Sequence, residues 1–324
     1  MKILLVPDPT SPNGEDAFCR EIAKRGPARG HECAMRAASA GPAEADVVVV
    51  NSLQTGALLA ARAAGTPAIL RLIDSYIGAP DAQSAEARSF AAAAERVLVP
   101  SAYLKDVVAG WGVDADRVAV VPYAYDQIFA QQIALVTMRA ARPSGFGLVT
   151  AGVVDAETLP AFETVLSAVS RLRLDCHLAV LADGPSLDAL KARAQALMLG
   201  GRATFVGDLP HPKKMEYLRA AKAFIEPSGL QGFPALALHA MSEGCPVLGA
   251  AAGALPELVR NGENGLLYRP GDSRALAEQI VTLASTPGLS LKLIAGGVRT
   301  VESHSWDATV AAALDAIESL EVRA

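Results

Sequence analysis

The sequence predicts an α/β protein made of two doubly wound, Rossmann-like domains, each a parallel sheet covered by helices on both faces. Three observations lead there. The 324 residues are enough for two α/β domains that each bury a core of their own. Short, continuously apolar runs alternate with longer Ala- and Leu-rich stretches, and unbroken apolar strands belong to sheets buried on both sides. The alternation stops once and starts again, which makes two domains of one rhythm.

In chain order, the first series of strands is expected at Ile3–Val6, Val47–Val50, Ala68–Leu72, Val97–Val99 and Val118–Val121. The second is expected at Leu148–Val149, Leu178–Leu181, Ala203–Phe205, Ala223–Ile225 and Pro246–Leu248. Between them Tyr123–Pro143 contains Gln127, Gln131, Gln132 and the Arg139–Pro143 stretch, without strand character. The expected division is therefore a first domain at 1–125, a linker at 126–143 and a second domain at 144–304. In the final segment, 305–324, Val310, Ala313, Leu314 and Ile317 mark an amphipathic helix that must pack on something.

Composition narrows the function. With 51% hydrophobic and 19% charged residues the chain reads as globular. A net charge of −5 and the lack of a Lys/Arg block argue against a nucleic-acid partner. Cys19, Cys33, Cys176 and Cys245 have no paired spacing and suit buried apolar positions, so neither a zinc site nor a disulfide framework is expected. Pro7, Asp8 and Pro9 end the first apolar run too early for a signal peptide, and no run reaches membrane-spanning length. A cytoplasmic protein is expected, with no integral membrane segment and at most peripheral membrane contact.

The chemistry is concentrated after residue 223. The strand Ala223–Ile225 meets Glu226-Pro227-Ser228-Gly229-Leu230-Gln231-Gly232-Phe233-Pro234, and a helix follows with Pro234 in its first turn. Such a helix start, at the carboxyl end of a parallel strand, favours an anion such as a sugar diphosphate. A second strand and Gly-containing turn, Cys245–Gly249 and Ala252–Val259, place a second helix start on the same rim. Asn261–Tyr268 then forms a turn–turn–strand unit closed by Pro270-Gly271-Asp272.

This segment resembles the donor-site signature of the retaining GT-B glycosyltransferases of family 4. The matching residues are Pro227-Ser228, Gly232-Phe233-Pro234, Ala240-Met241, Gly244-Cys245-Pro246-Val247, Gly253-Ala254-Leu255-Pro256-Glu257 and Gly262–Leu267. Less sharply, Lys2–Val6 with Gly14 and Gly30-His31-Glu32 is similar to the family's first strand, loop and helix, and Val97–Ser101 with Trp111–Val113 to the end of its acceptor domain. Ala182–Pro185 and Phe205-Val206-Gly207-Asp208 resemble the loops near the nucleotide base, and Ser305-Trp306 the start of a terminal helix that crosses back to the first domain.

The resemblance implies two domains facing a cleft and transfer of a sugar, with retention, from a UDP- or GDP-linked donor to a hydroxyl of a glycan, lipid or small molecule. It implies neither metal nor other cofactor. Donor binding falls to Gly14, Gly207, Asp208, Gln231, Gly232, Phe233, Pro234, His239, Gly253 and Glu257, and catalysis to Gln231 and Asp74. Asp74 equally suits a turn cap. Gln231 and His239 stand where the signature has two glutamates, so both keep hydrogen-bonding capacity without a fixed negative charge. Val153 and Thr158 stand where the family clamps the diphosphate with Arg and Lys, and Lys213, Lys214, Arg219 and Arg260 are candidate replacements. His31 and His304 are expected to flank surface elements, and His177 and His211 show no evident partner. A second reading follows: a catalytically degenerate member that binds nucleotide or glycan or supports a partner transferase. A related two-domain epimerase is a weaker third.

Overall fold

The computed structural model describes residues 1–7, 15–36, 45–51, 55–73, 81–125, 146–228 and 232–320. Twelve strands are β1 (Lys2–Val6), β2 (Glu32–Met35), β3 (Val47–Asn51), β4 (Ala68–Arg71), β5 (Arg96–Val99), β6 (Val118–Val120), β7 (Phe146–Val153), β8 (Cys176–Asp183), β9 (Ala203–Phe205), β10 (Ala223–Glu226), β11 (Val247–Ala250) and β12 (Gly265–Tyr268). The α-helices are α1 (Glu15–Arg25), α2 (Thr55–Ala63), α3 (Asp81–Ala93), α4 (Ala102–Gly110), α5 (Leu159–Arg171), α6 (Leu187–Ala196), α7 (His211–Ala220), α8 (Ala235–Ser242), α9 (Leu255–Leu258), α10 (Ser273–Ser285), α11 (Leu289–Ser303) and α12 (Trp306–Glu318).

The chain forms two compact units, one of Met1–Tyr125 with His304–Ala324 and one of Asp126–Ser303. Each holds a six-stranded, wholly parallel sheet, ordered β2-β1-β3-β4-β5-β6 in the first and β12-β11-β10-β7-β8-β9 in the second. The segment expected as a linker, 126–143, lies outside the described residues.

In the first unit the two faces of the sheet support separate cores. Leu4, Val6, Val48, Val50 and Leu70 pack with Leu58, Phe90 and Leu104 on one face. On the other, Ile3, Leu5, Val47 and Val49 pack with Phe18 and Ile22 of α1 and with Val310, Ala313, Leu314 and Ile317 of α12. These last four are the positions whose spacing marked the terminal helix. Ser305 caps it by accepting the Ala308 N–H at 3.2 Å, and Thr309 donates to the Pro122 carbonyl at 2.9 Å. Arg29 adds hydrogen-bonded ion pairs to Asp315 and Glu318, and His31 meets Glu318 at 2.7 Å. His31 therefore fastens the terminal helix, a tighter role than flanking a surface element.

The second unit is built alike. Leu148, Leu178, Val180, Ile225 and Leu248 pack beneath Phe162, Val165, Leu190, Leu276 and Ile280. Among the described residues no single helix is long and apolar enough to cross a membrane; α10 and α11 pass on composition only as a pair bent by 103°. Their apolar residues Leu276, Ile280, Leu293 and Val301 are buried in this unit.

Candidate donor site

In the second sheet the chain runs from β7 outward through β8 and β9, then returns to β10 and runs the other way through β11 and β12. The neighbours β7 and β10 therefore form the switch point, and the crevice beyond their carboxyl ends is where open α/β sheets take ligands. Three turns meet this rim, after β7, β10 and β11.

The turn after β10 leads into α8. Pro234 occupies the N-cap, one residue ahead of its expected place in the first turn, and its carbonyl accepts the Leu238 N–H at 3.2 Å. Pro234 itself has no side chain that could cap this helix start. Gly232 and Pro234 are buried and Phe233 is partly exposed. Gly249 explains how the next element approaches so closely, because a Cβ there would sit 2.2 Å from Leu255 Cδ2. The second helix start is weaker than expected: α9 is one turn of four residues, too short for a substantial dipole, with an exposed Glu257 in it. Gly253 precedes it with φ of 55°. The turn–turn–strand unit is structural. Buried Asn264 accepts the Arg260 N–H at 2.6 Å and donates to the Leu258 carbonyl and the Thr300 hydroxyl, thereby holding α9 and α11 together.

The turn after β7 holds its own anion. Asp155 accepts the backbone N–H groups of Glu157 and Thr158 at 2.9 and 2.8 Å, and Thr158 Oγ1 accepts the Asp155 N–H at 3.0 Å. The start of α5 is thus occupied by a carboxylate of the chain itself, while Val153 beside it is 63% exposed. Of the candidate replacement cations, Lys214 pairs with Asp208 at 2.6 Å, Lys213 with Glu216 at 2.9 Å and Arg219 with Glu243 at 2.8 Å. Asp208, read as a donor ligand, is tied to α7 by this pair, next to Gly207 with φ of 88°.

His239 projects from α8 and meets the ring of His211 from α7 edge-on, with centroids 4.9 Å apart and planes at 79°. Burial, reinforced by the neighbouring His211, pushes His239 down to about 3, so its imidazole is neutral across the physiological range. Burial also lowers His211, followed by the charge of Lys214, against an opposing pull from Glu243. His211 and His177 both have partners that the sequence hides: the former meets His239 edge-on and the latter meets Thr204 Oγ1 at 2.9 Å.

One group at the rim entered the sequence reading only as a boundary. Glu226 ends β10 and is 1% exposed. Burial pushes its carboxyl up to about 8, against the pull of the Ser228 backbone N–H. The available signal was an acidic residue closing the apolar run Ala223–Ile225. Gln231, Gly14 and Asp74 lie outside the described residues. Among the described residues, no group of three or more His, Cys, Asp or Glu side chains is placed to hold a metal ion.

Comparison with known proteins agrees with this architecture. Residues 145–286 match the family model described as glycosyl transferases group 1, and residues 34–124 match the glycosyl transferase 4-like domain. A D-inositol 3-phosphate glycosyltransferase of Catenulispora acidiphila is 28% identical over 298 residues, covering 83% of this chain and 71% of its own. One from Streptomyces scabiei is 36% identical over 97 residues, 30% of this chain and 22% of its own. The chain spans only 22% to 33% of the length of the first three such relatives it matches. Among solved structures, Anabaena Alr3699/HepE in complex with UDP-glucose superposes with a TM-score of 0.76 at 18% identity, covering 99% of this chain and 100% of that one. Sucrose-phosphate synthase from Thermosynechococcus elongatus gives 0.75 at 17%, covering 100% of both. Two matched domains, two parallel sheets and a signature laid along one rim place this chain among the group 1, family 4-type glycosyltransferases of GT-B fold.

Proposed function

We propose that the chain is a glycosyltransferase that moves a sugar from a UDP- or GDP-linked donor to an acceptor hydroxyl, with retention and without metal or other cofactor. The observation that carries this reading is the start of α8, with Pro234 at its N-cap, at the β7/β10 switch point and inside the matched signature. The similarity to D-inositol 3-phosphate glycosyltransferases and to a fold solved with UDP-glucose supports the donor class. In this proposal Gly232, Phe233 and Pro234 shape the phosphate and sugar side, with Gln231 facing the sugar and Gly253 and Glu257 closing the rim. Neutral His239 holds the ribose through one donor and one acceptor nitrogen. Asp74 serves the acceptor side and Gly14 the donor, and the protein works in the cytoplasm.

One observation favours the second reading, a binding protein without turnover. The start of α5 carries Asp155 and an exposed Val153 in place of cations, and cations there would stabilise departing phosphates. Thermal shift with UDP, GDP, ADP and their sugars, followed by a donor-hydrolysis assay, separates the readings. Stabilisation with hydrolysis supports a transferase, stabilisation without it supports the binder, and no response to any nucleotide rejects both. His239→Ala should weaken nucleotide binding about tenfold, the loss of one or two hydrogen bonds; an unchanged Kd in calorimetry removes His239 from the site.

A further inference from the structure

Strand β10 ends on a carboxyl group inside the protein. Neither oxygen of Glu226 has a hydrogen-bond partner of ordinary geometry. Its Cβ lies on the side of the sheet where Gly249 and Leu255 approach, 3.7 Å from where a Gly249 Cβ would be. The titratable neighbour is Tyr268 of β12, whose hydroxyl lies 3.5 Å from the Glu226 backbone carbonyl. Tyr268 is itself raised above its ordinary value, first by burial and then by the charge Glu226 would carry. A charge without a partner or solvent is costly, and a carboxyl in this setting keeps its proton instead.

The location gives that proton a role. Glu226 is the last residue of the strand that borders the switch-point crevice, next to the turn leading into α8. We propose that Glu226 is the proton-carrying group of the donor site, and that binding of an anionic diphosphate is coupled to protonation of this side chain. This rests on the reading of the rim as a nucleotide-sugar site. A diphosphate brought into the crevice makes a second negative charge beside it costlier, so the bound ligand holds the proton more firmly. By reciprocity, loss of the proton weakens the ligand. The rim answers the ligand's charge by keeping its own acid neutral, since Lys214 and Arg219 are engaged by Asp208 and Glu243. The proton comes from solvent onto a carboxyl oxygen, and no covalent step is involved.

Calorimetry of the 324-residue chain with UDP-glucose, GDP-mannose and ADP-glucose tests the coupling. The diphosphate of these donors is diesterified and does not titrate near pH 8, so proton uptake reports on the protein. Each titration is run at pH 6.5 and 8 in two buffers of different ionisation enthalpy. We expect almost no uptake at pH 6.5 and an uptake approaching about half a proton per ligand at pH 8. Affinity should fall as pH rises from 7 to 9, by at most about tenfold per unit. Glu226→Gln should abolish the uptake, and Tyr268→Phe should retain it. Binding without buffer dependence at pH 8, or uptake that persists in Glu226→Gln, overturns the coupling and leaves the donor-site reading standing. If none of the three donors binds, the donor-site reading itself fails. Should Glu226→Gln not fold, the wild-type uptake at pH 8 together with Tyr268→Phe decides the matter.

Discussion

Each unit buries a charged residue type at the carboxyl end of a strand, and the two are treated oppositely. In the first unit Arg71 ends β4 at 6% exposure, donates to Asn51 Oδ1 at 3.0 Å, and lies 4.1 Å over the ring of Phe18. In the second, Glu226 ends β10 with neither carboxyl oxygen in a hydrogen bond of ordinary geometry among the described residues. A guanidinium cannot shed its proton under any ordinary condition, so it is buried only with donors used and a π-face beneath it. A carboxylic acid can remain neutral, and burial then costs far less. One fold repeated twice thus buries opposite charge types at the ends of interior strands, Arg71 with a hydrogen-bond partner and a π-face, Glu226 where burial favours the neutral acid.

The comparison can be broken most strongly at Glu226. Its folded value is raised from 4.5 to about 8. The stabilisation from its bound proton is therefore complete below the unfolded value and is lost as pH climbs through the folded one. Wild-type stability should fall between pH 5 and 9 by an amount whose upper bound is roughly 5 kcal/mol, and Glu226→Gln should remove that fall. Denaturant titrations at both pH values check it; parallel pH profiles for the two proteins would refute it. Arg71→Met should cost about 2 kcal/mol at either pH, because the guanidinium stays charged throughout. A cost confined to one pH would show that Arg71 depends on a titrating partner. Gly249→Ala, which presses Leu255 against the Glu226 side of the sheet, should cost about 1 to 3 kcal/mol by overpacking. A thermal melt indistinguishable from wild type would show that α9 moves aside freely. Val153→Arg is the mildest change, because the side chain is exposed and stability should hold within about 0.5 kcal/mol. Its readout is donor affinity, expected to rise several-fold in low salt, and a salt-independent Kd would show that the start of α5 does not face the phosphates.

Much of the fold could be read from the chain because the buried strands are unmistakable. Val47–Val50 is apolar at every position, and each of the four residues is buried. Where that signal thins, so did the reading. β2 was not anticipated as a strand, since Glu32, Ala34 and Met35 are exposed on the sheet edge and the pattern is not apolar. β7 reaches Phe146–Val153 although only Leu148–Val149 was expected, because Gly147, Ala151 and Gly152 dilute it. The candidate site divides in the same way. Val153 and Thr158, where the resemblance expects Arg and Lys, were legible residue by residue, but the carboxylate at the start of α5 was not. Asp155 acts through a local ring of hydrogen bonds with Thr158 that depends on backbone geometry. The His211–His239 contact joins residues 28 positions apart on different helices, a separation that no local pattern reports. Glu226 was visible as a residue, yet its importance depends on how completely β11, β12 and α9 enclose it.

The returning helix α12 has a consequence for synthesis. Val310, Ala313, Leu314 and Ile317 complete the core that Phe18 and Ile22 begin, so the first unit is interrupted by the whole of the second. On the ribosome, the second unit has all its strands in hand while the first still lacks the lid over one face of its sheet. That face, with Ile3, Leu5, Val47 and Val49 on it, has only α1 to cover it until residues 310–317 have been made. Transiently exposed apolar sheet is what nascent-chain chaperones hold. Of the two units, the one whose strands are made first is thus the one completed second.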